Sequence, residues 1–150
     1  MHPDAATCLR LAAATAVLAA VCGCGEVYEF GTVRGRLTVQ GQPAGRVRVE
    51  FHPDAARGTA GPSSSGDTNE QGEFVLTYST PTISGSGAIV GRHKVVLRDH
   101  ALSASETGQG VPLRFGPQYA TVLSTPLDVE VKKGEQALEI EVPTGRKGTP

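Results

Sequence analysis

Four arginines stand at alternate positions in two short runs, Arg34 and Arg36 in VRGRLTVQ and Arg46 and Arg48 in RVRVEFH. In an extended chain successive side chains point to opposite faces, so each pair shares a face while Val33, Leu37 and Val39, or Val47, Val49 and Phe51, take the other. A guanidinium is always charged, and its planar fork of N–H donors fits a carboxylate or a phosphate. Arg34, Arg36, Arg46 and Arg48 are therefore a candidate surface for an anionic ligand, either lipid head groups or acidic glycans. The same pattern also describes a solvated strand face whose charges keep sheet edges from associating.

Other chemistries are set up and then fail. Asp67, Asn69, Gln71 and Gly72 have the alternation of oxygen ligands that opens a calcium loop, but Tyr78 stands at the twelfth position, where a bidentate glutamate is needed. The alternative for this stretch is a tight turn with Gly72 at positive φ, feeding a strand from Glu73 to Tyr78. His93 and His100 have no second histidine or carboxylate spaced to join them on a metal, and His93 reads as a polar residue at the rim of a strand. No Gly-x-Ser-x-Gly elbow, His-Glu-x-x-His motif or phosphate loop occurs. We expect no catalysis, no metal and no cofactor.

The elements that carry these residues are short strands. Leaving the first 23 residues aside, no segment shows apolar residues at helical spacing over three turns. Alternating runs separated by Gly, Pro, Ser and Asn dominate, and the chain has 19 Gly, 10 Pro and no Trp. That is the pattern of an all-β domain, an antiparallel β-sandwich of about seven strands. Matching apolar faces predicts a hairpin of Val33–Gln40 with Arg46–His52, pairing Val39 with Val47 and Leu37 with Val49 around a loop at 41–45. Residues 53–66 read as an exposed loop. Val95, Val96 and Leu97 form an apolar run suited to a central strand covered on both faces. In the long connection from His100 to Pro126, Pro112, Phe115 and Tyr119 are the residues expected to hold it to the core, with the Tyr119 ring buried and its hydroxyl bonded. Leu127–Lys132 and Ala137–Val142 predict a closing hairpin whose outward face carries Asp128, Glu130, Glu139 and Glu141. If the first and last hairpins are neighbours, the basic and acidic faces offset each other.

The N-terminal segment reads as an address. Leu11 to Val21 is apolar and shorter than the roughly 20 residues a bilayer requires, but it suits the apolar region of a signal peptide. Val21-Cys22-Gly23-Cys24 resembles the lipobox of bacterial lipoproteins, which implies cleavage after Gly23 and lipid attached to Cys24. A signal cut by ordinary peptidase and an uncleaved anchor are the alternatives. All three cysteines, Cys8, Cys22 and Cys24, lie in or at the end of this segment. The domain after it has no disulfide and no thiol nucleophile to call on. The expected organisation is a signal at 1–23, a lipidated tether at 24–32, the sandwich at 33–143 and a disordered basic tail at 144–150.

Further residues carry a second resemblance. Val33-Arg34-Gly35-Arg36-Leu37-Thr38-Val39, Gly41-Gln42-Pro43, Val47-Arg48-Val49-Glu50-Phe51-His52-Pro53 and Thr68-Asn69-Glu70-Gln71-Gly72-Glu73-Phe74 are similar to small bacterial lipoproteins with a carboxypeptidase regulatory-like domain. Gly87 to Leu97, Pro117-Gln118-Tyr119 and Ser124 to Val131 continue the likeness, with Asn69 where the family usually has Asp. The resemblance implies a transthyretin-like or immunoglobulin-like sandwich in a structural or binding role, with no catalytic residues to carry over. The expectation is an exported lipoprotein of the cell envelope, held to a membrane through Cys24, that binds a glycan or envelope polymer without catalysis. The alternative is a structural subunit docking to another envelope protein through a sheet edge; a hydrolase ranks behind both. The formal net charge of -1 gives no overall attraction to nucleic acid.

Overall fold

The structure, a computed structural model, describes residues 27–100 and 114–143. The signal segment with Cys24, the stretch 101–113 with Pro112, and the tail 144–150 lie outside the described residues. Two β-sheets face each other across one core. The first is built on β1 (Phe30–Val39), with β11 (Gly134–Val142) along one side. Three short strands follow one another along the other side: β8 (Ala88–Ile89), β5 (Glu73–Val75) and β2 (Gln42–Pro43). The second sheet runs β10 (Asp128–Val131), β9 (Gly91–Asp99), β3 (Val47–Pro53), β4 (Ser64–Asp67), β6 (Thr77–Ser79), β7 (Ser84–Ser86). Among the described residues this all-β sandwich has eleven strand segments, several only two to four residues long, and one extended stretch changes sheets at Leu76. Pairing is antiparallel except between β1 and β11, which run parallel.

The apolar faces go where alternation sends them. Val33, Leu37, Val47, Val49, Phe51, Leu76 and Val95 have no exposed surface, and Leu97, Val131, Ile140 and Val142 are almost as deeply buried. Val96 is also buried at 1 % exposure while projecting from the opposite side of β9, which bonds both β3 and β10. The doubly covered central strand is therefore present.

The two predicted hairpins do not form. Gln40 and Gly41, with φ of 54° and 75°, make the tight turn whose positive φ values match the natural strand twist. It joins β1 to β2, not to β3. Ala44 then crosses between the sheets, its N–H bonded to Leu37 O at 3.0 Å, and Arg46 takes a positive φ of 61° before β3 begins. β3 pairs with β9 and β4, and β10 and β11 part in the same way, into the second and first sheets. The Ser-rich end of the expected loop is β4, with Ser64 buried opposite Phe51. His93 is a correction too. It is 1 % exposed, its ring centroid 5.8 Å from that of Phe51, so it belongs to the interior and not to the rim.

Past the undescribed stretch, Arg114 pins the returning chain: it donates to Asp99 at 2.7 and 2.5 Å and to Gly45 O at 2.8 Å. Tyr119 is buried edge-on against Phe115, as expected, but its hydroxyl makes no hydrogen bond among the described residues. No helix among the described residues is long and apolar enough to cross a membrane.

Candidate functional site

The outward face of the first sheet holds a groove of about 740 Å³ over β5, β1 and β11. Register decides what lines it. Arg34 on β1 lies between Val75 of β5 and Ala137 of β11, and Arg36 between Glu73 and Glu139. Gly35, whose position faces inward, has the Phe74 ring lying against its missing side chain, so the two strands meet closely beneath the arginines. A second hollow of about 280 Å³ continues past Arg34 toward Thr32 and Glu135. The result is a trough along β1 with one row in which a cation stands between two carboxylates and one row in which a cation stands between an alanine and a valine.

Hydrogen bonding separates the two arginines. Arg36 spends its Nε on the Gln71 carbonyl at 3.1 Å. The Arg34 guanidinium makes no hydrogen bond or ion pair among the described residues. Glu139 likewise has no partner there, while Glu73 accepts from Asn69 Nδ2 at 3.1 Å. The Asn69 amide oxygen is engaged by its own loop, accepting from Gln71 N–H at 3.0 Å and Glu73 N–H at 2.9 Å, and Gly72 takes the expected positive φ of 76°. Asp67, at the rim, is held by Arg48 through two bonds of 3.0 and 2.9 Å. Those bonds lower the Asp67 pKa below its ordinary value and raise that of Arg48.

The four arginines therefore do not share one strand face. Arg34 and Arg36 line the groove, Arg48 lies in the other sheet and reaches the rim only through Asp67, and Arg46 is exposed in the turn before β3. On the outward face of the second sheet, charge is spent internally. Glu50 accepts from Arg98 at 2.8 Å, and Asp128 gathers Arg57, Arg92 and Lys94. Burial alone would raise the pKa of Glu50 and of Asp128, but these cationic partners hold both below ordinary carboxylate values.

Glu73 and Val75 are site residues that alternation did not single out, and Glu139, read as outward, was not placed beside Arg36. Nothing local marks them, because they join Arg34 and Arg36 only through the register of β5 and β11 on β1. The charge balance read from the two ends of the chain is realised in part, Glu139 of the last strand lying beside Arg36 of the first. Among the described residues no group of three or more His, Cys, Asp or Glu is placed to hold a metal ion. Comparison with family models, curated proteins and solved structures gives no match.

Proposed function

We propose that the protein is a non-catalytic binding module for an acidic glycan or envelope polymer, held at a membrane surface through lipid on Cys24. The observation that carries the binding reading is the Arg34 guanidinium, unpartnered among the described residues, in an open groove. Among the described residues nothing engages its donors, which fit the two oxygens of a carboxylate, and the flanking, exposed Ala137 and Val75 leave the groove open beside it. One row along, the Glu73 and Glu139 carboxylates are acceptors for sugar hydroxyls. A uronic-acid polymer carries both kinds of group on each residue. Its carboxylate would sit on Arg34 and its hydroxyls on the neighbouring row.

The test is binding to a polyuronate beside an uncharged polysaccharide of similar length. We expect binding to the polyuronate alone, weakening with salt, and falling about tenfold or more in Arg34→Ala, since a charge-assisted hydrogen bond contributes about 1.5–3 kcal/mol. Equal binding by Arg34→Ala would sink the assignment. The membrane reading is supported by the Val21 to Cys24 pattern and by the few residues between Cys24 and Phe30, where β1 begins. Labelled fatty acid should enter the full-length protein in a bacterial host and be absent from Cys24→Ala; label in neither removes the anchor. The likeness to carboxypeptidase regulatory-like lipoproteins supports the same non-catalytic role.

A further inference from the structure

Beyond the groove, we infer that β11 is a docking edge for an extended cationic segment of another protein, which would add to the first sheet as a further strand. The element is long and regular. Nine residues from Gly134 to Val142 keep an unbroken register with β1, and among the described residues β11 is bonded along that side only. Among the described residues its other side therefore presents backbone N–H and C=O groups with no strand partner, the template for strand addition.

Side chains select the occupant. Glu135, Glu139 and Glu141 are exposed on the outward face of β11 and make no ion pair among the described residues. Inward, cover thins along the strand. Val142 and Ile140 are buried, whereas Leu138 and Gln136 are only half-buried, and Gln136 Nε2 is enclosed without a partner. An added strand with Lys or Arg at alternate positions would meet the glutamates, and apolar residues between them would extend the cover over Leu138.

The same glutamates disfavour a second copy of this chain. Antiparallel pairing of two β11 strands about Leu138 sets Glu135 against Glu141 twice, and like charges directly opposite are destabilising. No proline, bulge or lysine interrupts the edge before Pro143, so what blocks self-association is charge, and a cationic strand removes that obstacle.

The experiment uses a soluble peptide of alternating lysine and valine, titrated into the full-length protein with amide hydrogen exchange as the readout. Expected are slowed exchange at alternate amides of β11 and loss of binding to a peptide N-methylated at alternate residues. The triple variant Glu135→Lys, Glu139→Lys, Glu141→Lys should bind the lysine peptide at least about tenfold more weakly and acquire binding to a glutamate–valine counterpart, because each cross-strand pair changes from attraction to repulsion. All three positions are exposed, so the variant should fold, which an unchanged unfolding midpoint checks. Equal binding of the N-methylated peptide, or no protection on β11, would show a diffuse charge attraction and overturn strand addition. Concentration-dependent dimerisation through β11 would overturn the choice of occupant.

Discussion

His93 projects inward from β9, beside the Phe51 ring, with its Nδ1 placed 3.1 Å from Gly91 O. Nδ1 is then the protonated nitrogen and donates to that carbonyl, and Nε2 is left buried with no partner. Adding a proton to Nε2 would create both a charge and an unsatisfied donor in an apolar interior. Burial accordingly lowers the His93 pKa below its ordinary 6.5; the Gly91 carbonyl opposes the shift and the charge of His52 adds to it. Linkage gives the sign. Above pH 6.5 both folded and unfolded forms carry neutral His93, and stability is unaffected by it. Below that value the unfolded chain takes up a proton that the folded one refuses, so stability falls with pH. Urea midpoints should therefore decline between pH 6.5 and about 4.5, before the carboxylates titrate. His93→Gln, which cannot ionise, should flatten that interval; an unchanged slope in the variant would mean that other groups set it.

At the scale of the element, what alternation could tell and what it could not are cleanly separated. Val33, Leu37 and Val39 on β1 and Val47, Val49 and Phe51 on β3 all face the core as read from the sequence. The pairing drawn from them fails because two sheets share that core. Strands that are adjacent within a sheet and strands that face each other across it have the same inward residues, so apolar matching cannot distinguish them. The distinction lies in the connection. Gln40-Gly41 closes a two-residue turn too early for a β1–β3 hairpin, and the crossing that follows is held by Thr68, whose hydroxyl donates to Ala44 O at 2.7 Å and accepts from Val47 N–H at 2.9 Å. These contacts join residues more than twenty positions apart and leave no local signature. The same limit applies to the groove. That Arg34 and Arg36 point outward was legible from their spacing, whereas the company of Glu73 and Glu139 depends on long-range register.

At the scale of the molecule, the chain closes by bringing its last described strand beside its first. β1 is the axis of the first sheet, lined on one side by three short strands and on the other by β11 alone, paired at every position from Gly31–Gly134 to Val39–Val142. Without β11, Ile140 and Val142 leave the core, Leu138 leaves its margin, and one whole side of β1 loses its hydrogen-bond partners. Burial of each large aliphatic side chain contributes about 1.5–3 kcal/mol, so these losses approach the roughly 5–15 kcal/mol that holds a domain of this size together. We therefore expect a chain ending at Lys133 to lack a cooperative urea transition and dispersed amide resonances, whereas one ending at Pro143 keeps the full-length midpoint. A cooperative transition in the shorter chain would mean that the second sheet and the three short strands suffice, and β11 would then be an appendage. Closure by a parallel pair between the two ends of the domain also requires non-local contacts before they are rewarded, which slows folding. Single-exponential refolding that is lost on truncation, and not merely accelerated, would place that closure in the folding reaction itself.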